Sequence, residues 1–305
     1  MQKKIIALAI AGLASSAAFA ADNVTIYGRL DYGFMTRSGN SGGVQNATSK
    51  HEFGSGLQAG SRIGFKGAEE LGNGLKLIFE SEFGTAVDQT AGTINAAGGV
   101  PSGPSAASGS TAATWTNRHS YVGLTGGFGT AVGGRLDGVR YGLFNKYDAF
   151  AGGTVGNFTN MAKGQVDRAD NAIAYISPNF SGFTVTAAYA TNIGGAEGGN
   201  NGYTGAATAT AIGNNNDLRL NTLMGQYENG PISLSVDAET VKSVKSNNGL
   251  DLDVKVYVLA GSYDFGVVKV SALYDWHNVD VNDVEAAKDR AWFISAKVPD
   301  RKSVV

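Results

Sequence analysis

Five arginines occupy comparable places in segments where apolar and polar residues alternate. They are Arg29, Arg62, Arg118, Arg135 and Arg168. Successive side chains of a β-strand point to opposite faces, so the alternation predicts that all five share the polar face of a sheet. Arginine stays charged at any relevant pH and presents a rigid planar fork, which suits a surface that orders ions and polar solutes. The alternative is that these side chains only solvate the polar face.

The residue types present give little support to catalysis or metal binding. The chain has no cysteine and three histidines, at positions 51, 119 and 277. The lack of cysteine excludes disulfides, thiolate metal sites and thiol nucleophiles. No spacing of histidines or carboxylates suggests a metal site, and the sequence has no GxxxxGK[ST] pattern for binding phosphates. We predict a protein that is not an enzyme and has no cofactor.

The composition excludes further classes of protein. Of 305 residues, 24 are Lys or Arg and 26 are Asp or Glu, which gives a formal net charge of −2. Nucleic-acid binding needs a basic surface, so we expect no nucleic-acid partner. Charged residues make up only 16% of the chain, while 43% is hydrophobic and 44 residues are glycine. This combination argues against intrinsic disorder, which requires low hydrophobicity and high net charge.

Residues 1–20 have the pattern of a cleaved secretory signal. Lys3 and Lys4 begin it, an apolar run covers residues 5–13, and Ala-Phe-Ala at 18–20 fits the small-x-small cleavage rule. The apolar run is shorter than the about 20 residues that a membrane-spanning helix needs. We therefore predict export from the cytoplasm and a single mature domain over residues 21–305.

Alternation of period two dominates the mature sequence and indicates an all-β protein, and no amphipathic helix is evident. At about ten residues, most predicted strands match the 9–11 residues that a tilted strand needs to cross a membrane. The alternation is poor near residues 220 and 257, so it does not decide which side chains point inward there. The twelve predicted strands cover 24–37, 58–69, 75–86, 114–125, 128–136, 168–178, 182–191, 217–228, 231–242, 252–264, 267–277 and 289–298.

Short and long connections alternate along the chain. Tight Gly-, Asn- or Pro-containing turns separate long connections at about 38–57, 87–113, 137–167, 192–216, 243–251 and 278–288. Strict alternation places all long connections at one end of an up-and-down antiparallel sheet, as in outer-membrane barrels. Backbone groups in lipid need internal partners, so such a sheet must close. The pattern predicts a transmembrane antiparallel up-and-down β-barrel in the outer membrane.

Several segments resemble the general diffusion porins of Gram-negative bacteria, particularly those of beta-proteobacteria. Their order and spacing together are specific. The segments are VTIYGRLD (24–31), SRIGFKG with EELGNGLK (61–67 and 69–76), RHSYVGL (118–124), FGTAVGGR (128–135) and AYISPNFSGF (174–183). The resemblance implies sixteen strands, a homotrimer and a water-filled pore for passive diffusion of ions and small hydrophilic solutes, in contact with outer-membrane lipid and lipopolysaccharide.

The resemblance also implies the position of the pore constriction. In such porins the third long loop folds into the barrel, which here is residues 137–167, with Asp137, Lys146, Asp148 and Asp167 as its charged candidates. The five arginines would form the basic wall opposite this loop. Acidic residues predicted to point inward would accompany them, so we expect modest ion selectivity of undetermined sign. These acids are Asp31, Glu80, Glu82, Asp237, Glu239 and Asp275.

Two expectations concern the extent and the use of this barrel. The chain stops at Val305 after twelve predicted strands. Because the resemblance implies sixteen, we expect a C-terminally truncated sequence, with a genuinely short barrel as the alternative. The alternative function is a surface receptor or adhesin that acts through the long loops.

Overall fold

A computed structural model describes residues 24–37, 50–88, 116–150, 158, 162, 166–193, 218–243 and 251–299. The predicted signal at residues 1–20 lies outside this range, as do most of the long connections at 87–113 and 192–216. The described residues form fourteen strands and a helix. They are β1 (Val24–Arg29), β2 (Tyr32–Arg37), β3 (Lys50–Ser55), β4 (Arg62–Gly72), β5 (Leu75–Gly84), β6 (Thr116–Gly126), β7 (Gly129–Asp137), α1 (Val139–Tyr147), β8 (Arg168–Ile176), β9 (Phe183–Ala190), β10 (Leu218–Asn229), β11 (Ile232–Ser243), β12 (Leu252–Asp264), β13 (Lys269–Val281) and β14 (Val284–Lys297).

Twelve of these strands form one antiparallel sheet in the order β1-β4-β5-β6-β7-β8-β9-β10-β11-β12-β13-β14. Apart from the step from β1 to β4, each strand pairs with the next in sequence, as an up-and-down topology requires. In the described residues, β1 pairs only with β4 and β14 only with β13. The remaining strands, β2 and β3, form a separate hairpin.

The first predicted strand, 24–37, is in fact two strands, and the predicted loop 38–57 contains β3. The break falls at Asp31, whose carboxylate accepts hydrogen bonds from the backbone N–H groups of Leu57 (3.1 Å) and Ala59 (2.9 Å). Its own N–H donates to the Ser61 hydroxyl at 2.9 Å. Asp31 therefore organises the point where the β2–β3 hairpin leaves and rejoins the sheet. Alternation alone could not reveal this break, because residues 24–33 keep period two throughout.

The prediction of a long loop at 278–288 is wrong. β13 continues to Val281 and β14 begins at Val284, so only Asn282 and Asp283 connect them. Both have positive φ, 51° and 61°, which is the conformation of a two-residue type I′ hairpin turn. Asn and Asp tolerate positive φ better than other non-glycine residues. The adjoining ends of β13 and β14 were not predicted as strand because they contain many charged residues.

This turn yields a test of the fold. Replacing Asp283 with glycine should raise the free energy of unfolding by up to about 1 kcal/mol, because glycine has no Cβ to disfavour positive φ. Chemical denaturation in detergent micelles would measure the change. Ala287→Gly, inside β14, is the matched control and should destabilise the protein. Equal destabilisation by both variants would contradict the turn assignment.

Burial along the sheet is the reverse of that in a water-soluble β-sheet. On β11 the buried side chains include Ser233, Ser235 and Asp237, while Leu234 and Val236 are 50% and 58% exposed. The polar face is thus covered by protein and the apolar face is open. This arrangement is expected where the apolar face contacts lipid rather than water.

The helix α1, Val139–Tyr147, contradicts the expectation that the chain has no helix. Its buried residues are Arg140, Leu143, Phe144 and Tyr147, which share one face of a helix. The pattern escaped prediction because an arginine and a tyrosine take two of the four buried positions and Gly138 stands where a side-chain cap would be expected. In the described part of the chain, no helix has the length and apolar character for crossing a membrane.

Packing of α1 also explains the poor alternation predicted near residue 257. The covered face of β12 consists of apolar side chains, among them Val254, Val256 and Val258, and its open face carries Tyr257 and Leu259. Both faces are apolar because the inner one packs under the loop that contains α1, whereas the outer one is the face that the alternation predicts to contact lipid. We call the covered face of the sheet the inner face and the open one the outer face.

Candidate functional site

The helix α1 is held on the inner face of the sheet by a buried ion pair. The guanidinium of Arg140 donates through Nε and Nη2 to the two carboxylate oxygens of Asp275 on β13, each at 2.8 Å. The two side chains are 0% and 2% exposed. Two further buried carboxylates, Asp237 and Glu239, lie on the inner face of the nearby strand β11. A two-point pair of this kind fixes both the position and the orientation of the helix.

The end of α1 is attached to three other strands. The Tyr147 hydroxyl is hydrogen-bonded to the hydroxyls of Ser233 (2.9 Å) and Ser235 (2.8 Å) on β11. The Tyr147 carbonyl accepts a bond from the Ser295 hydroxyl on β14 at 3.1 Å. Lys146 forms an ion pair with Glu228 on β10. Together with Asp275, these contacts attach α1 to strands β10, β11, β13 and β14.

Residues after the helix extend the same attachment. The Asp148 carboxylate is buried and accepts hydrogen bonds from the N–H groups of Phe150 (2.8 Å) and Phe158 (2.7 Å). Phe158 in turn packs between Phe144 of the helix and Phe293 of β14, with ring centroids 4.7 and 5.7 Å apart. Asp148 thus stabilises the fold of the loop itself.

The base of the loop closes where its two ends meet. The Gly138 N–H donates to the Asp167 carbonyl at 2.9 Å. A Cβ at Gly138 would lie 2.0 Å from the Val166 carbonyl oxygen, so only glycine fits this approach. Beside it, the Arg168 guanidinium lies 5.5 Å from the Tyr141 ring centroid and Arg168 Nε is 3.0 Å from Asp137. The described part of the segment between Asp137 and Asp167 therefore begins and ends at the same end of β7 and β8, and α1 within it lies on the inner face of the sheet.

The far side of α1 is open. Gly142 is exposed, and a Cβ built on it would have nothing within 4 Å. Because the helix lies on the inner face, this side points into the space that the sheet partly encloses.

The five arginines each lie within ion-pair distance of a carboxylate. Arg29 and Arg62 stand directly opposite each other on β1 and β4. Glu82 on β5 is shared by Arg62 (3.4 Å) and Arg118 (2.5 Å), and it is buried. Arg29 lies 4.0 Å from Asp31. The predicted basic wall is therefore a row of paired charges.

The other two arginines, Arg135 and Arg168, also lie within ion-pair distance of a carboxylate. Arg135 pairs with Asp170 and also donates through Nε to the Arg118 carbonyl at 3.1 Å. Asp137 receives both Arg168 and His119, the latter at 3.1 Å from Nδ1. All five predicted arginines thus lie along strands β1, β4, β6, β7 and β8, each next to an acid.

One cluster on this wall was not predicted. The Glu80 carboxylate accepts hydrogen bonds from the hydroxyls of Tyr27 (2.5 Å) and Tyr121 (2.7 Å), and His119 Nε2 lies 3.4 Å away. The signal for it was present in the sequence, because Tyr27 and Tyr121 fall on the polar side of their strands.

The resemblance implied that charged residues of the loop face the arginines across the pore. In the described residues, several of these loop charges pair with groups close to them. Asp137 and Asp148 are engaged as described above, and Lys146 pairs with Glu228. Of the predicted inward acids, Asp275 pairs with Arg140 of the loop, and Asp237 is buried on β11. Whether these residues control permeation stays a prediction.

Comparison with known proteins decides the family. The Gram-negative porin family matches residues 7–303. The chain belongs to this family. Outer membrane porin protein 32 of Delftia acidovorans is 32% identical over 281 residues, which cover 90% of this chain and 69% of the relative. Major outer membrane protein P.IB of Neisseria gonorrhoeae is 31% identical over 280 residues, covering 89% of this chain and 70% of the relative.

Solved structures agree with the porin assignment. An anion-selective porin from Comamonas acidovorans superposes with a TM-score of 0.69 at 26% identity, covering 91% of this chain and 74% of that one. OmpF of Salmonella typhi, solved with daunomycin, has a TM-score of 0.60 at 17% identity, covering 90% and 74%, and supports the fold alone. The predicted fold class, a transmembrane antiparallel β-barrel, is confirmed, as are the outer-membrane location and the porin function. The inner face of the sheet is the wall of the porin channel.

The open side of α1 offers a test of what lines this channel. Gly142→Arg and Gly142→Glu should both lower single-channel conductance, with reversal-potential shifts of opposite sign, because each places a charge in the channel. Neither should hinder folding, since residues other than glycine favour a helix interior by about 0.5–1 kcal/mol. Conductance and reversal potential in planar bilayers are the measurements, with Gly142→Ala as the uncharged control. Shifts of the same sign from both variants would contradict the orientation of α1.

Proposed function

We propose that this porin is a passive, weakly selective channel for ions and small hydrophilic solutes, in which residues 137–167 form the constriction. The observation that carries the proposal is α1 itself, attached by Arg140 and Tyr147 to the polar inner face. A helix in this position reduces the cross-section available to solutes. Export through a cleaved signal at residues 1–20 is part of the same proposal.

Weak selectivity follows from the paired charges of the wall. Field lines from an arginine end largely on a carboxylate within 4 Å, so little net field extends into the channel. The name of the Comamonas relative describes it as anion-selective. We infer that the present channel has the same sign of preference but a small permeability ratio, because all five candidate arginines are paired.

We also infer a homotrimer. The outer face of β1, β4 and β5 has no charged side chain among the central positions that the structure describes, and it presents residues such as Ile26, Phe65 and Phe79. Next to β1 the β2–β3 hairpin exposes Tyr32, Phe34 and Phe53. A broad uncharged surface suits contact with other copies of the chain. Lipid and lipopolysaccharide would surround the remaining outer face.

Planar-bilayer recording of the protein purified from native outer membranes tests this function, with intact mass determined on the same sample. We expect ohmic steps that close in threes and a reversal potential close to zero in a salt gradient. A protein that inserts without conducting would contradict the channel and would favour a receptor or adhesin role. Single-step closures would contradict only the trimer.

A further inference from the structure

Four serines form a row across the inner face of the sheet, close to the end where the short turns lie. They are Ser233 on β11, Ser262 on β12, Ser271 on β13 and Ser295 on β14, each directly opposite the next. All four are between 6% and 9% exposed. Directly opposite residues of neighbouring strands have Cβ atoms about 4.5–5.5 Å apart, so the hydroxyl groups form a line of closely spaced hydrogen-bond donors.

The two ends of this row have partners, whereas one hydroxyl in the middle has none. Ser233 Oγ is hydrogen-bonded to the Tyr147 hydroxyl at 2.9 Å, and Ser295 Oγ donates to the Tyr147 carbonyl at 3.1 Å. Ser262 Oγ is buried and makes no hydrogen bond within the described part of the chain. A buried donor without a partner bears its full desolvation cost, which a bound acceptor would remove.

The next row toward the short turns is basic. Lys269 on β13 and Lys297 on β14 stand directly opposite each other. They share the inner face with the serines, because each lies two residues from a serine of the row on its own strand. Neither forms an ion pair with a carboxylate among the described residues. Like charges in opposite positions destabilise a sheet, and an anion between them would convert the repulsion into attraction.

The acids near this pair are engaged elsewhere or lie at the edge of the row. Asp264 on β12 is opposite Lys269, and its carboxylate accepts a hydrogen bond from the backbone of the adjoining short turn at 2.7 Å. Glu228 on β10 pairs with Lys146 of α1. These two acids and the lysines 146, 269 and 297 together carry a charge of +1. Short turns face the periplasm in outer-membrane barrels, so this is the periplasmic mouth of the channel.

We propose that Ser262, Ser271, Lys269 and Lys297, which we call the mouth site, bind a small tetrahedral oxyanion such as phosphate or a phosphate monoester. The serine and lysine rows are about 7 Å apart along the strands, and the flexible lysine stems let both ammonium groups close on an anion between the rows. The hydroxyls donate to it from the other side. Several separate donors suit a ligand with several acceptor oxygens, and charge-assisted hydrogen bonds of this kind are the strong ones.

The position of the mouth site gives it a role in transport. Because α1 is attached farther inside the channel, a solute that enters from the cell exterior passes the helix before it reaches the mouth site. Binding there makes the flux of phosphate saturate with concentration, whereas the flux of chloride keeps rising. The inference deepens the proposed function by naming a class of solute, and it rests on that function for transport but not for binding.

The first test measures binding of inorganic phosphate to the detergent-solubilised protein by the line width of the phosphorus NMR signal. The double variant Lys269→Gln, Lys297→Gln should bind at least about tenfold more weakly, since losing one charge-assisted hydrogen bond already costs about a factor of ten. Lys269→Arg with Lys297→Arg should retain binding. The matched control, Lys255→Gln with Lys288→Gln, removes the same charge from exposed side chains on the outer face of β12 and β14 and should change binding less than twofold.

A second variant separates binding from folding. Ser262→Ala removes a buried hydroxyl that has no partner in the described residues, so the free energy of unfolding should stay the same or rise. Phosphate binding should nevertheless weaken several-fold. Unchanged binding by Ser262→Ala would mean that the serine row takes no part, which overturns the mouth site as described.

Three further outcomes would also overturn the proposal. The double lysine variant could bind phosphate normally, the outer-face control could lose as much as the double lysine variant, or acetate could bind as tightly as phosphate. Planar-bilayer conductance in potassium chloride, measured on every form, separates this inference from the proposed function. A protein that conducts chloride but binds no phosphate contradicts only the mouth site, and one that binds phosphate without conducting contradicts only the channel.

Discussion

Arg140→Gln is expected to release α1 from the channel wall and to give a larger, noisier single-channel conductance. Arg140 is completely buried and supplies the positive charge that pairs with Asp275, beside two more buried carboxylates, Asp237 and Glu239. Removing one partner of a buried pair costs about 3–5 kcal/mol, because the other charge remains without compensation. The carboxylates regain water only if α1 moves away from β11–β13. Planar-bilayer recording and limited proteolysis of the 137–167 segment would both detect this movement.

The control for this prediction lies on the same helix. Lys146 pairs with Glu228, and these side chains are 26% and 54% exposed. Exposed pairs contribute about 0–1 kcal/mol, so Lys146→Gln should leave current noise and protease resistance nearly unchanged. The double variant Arg140→Gln, Asp275→Asn should recover part of the lost stability. If Arg140→Gln conducts and resists protease like the unmodified protein, the buried pair is not what holds the constriction.

Glu82→Gln is expected to shift ion preference several-fold toward anions. Glu82 is the carboxylate shared by Arg62 and Arg118, so one substitution releases two guanidinium groups on the channel wall. Their uncompensated field would raise the local concentration of anions in the channel. The reversal potential in a potassium chloride gradient measures the change, and high salt should reduce it through screening.

Glu70→Gln provides the comparison for this second prediction. Glu70 pairs with Lys76 at 2.5 Å beside the short β4–β5 turn, where both side chains are exposed. Water and salt screen such a pair, so the reversal potential should stay unchanged. A shift toward cations in Glu82→Gln would mean that the arginine row does not line the conducting path.

Most of the sheet was predictable because lipid and water impose a local rule on each strand. Strands such as 231–242 alternate because one face meets lipid and the other does not, and this alternation predicted twelve strands. β12 is the exception, since its inner face packs under α1 and is apolar as well. Errors arose where local chemistry was ambiguous. Asn282 and Asp283 were interpreted as part of a long loop, although a two-residue turn at positive φ is what they form.

The candidate site was predictable as a set of residues but not as an arrangement. Alternation and family resemblance located the arginines and the 137–167 segment, since both depend on position along the chain. The partners could not be deduced, because Arg140 and Asp275 are 135 residues apart. Nor could spacing indicate that Glu82 serves two arginines from two different strands.

The sequence by itself therefore determined the class of protein, the number of strands in the main sheet and the end of the sheet that carries the long connections. These properties follow from period two and turn chemistry, which act within a few residues. Only the tertiary structure decided that each wall arginine lies beside a carboxylate, that α1 lies over Asp275, and that Lys269 and Lys297 lie beside the row of serines. Charges interact through space, so their effect depends on which strands the fold brings within a few ångströms of one another.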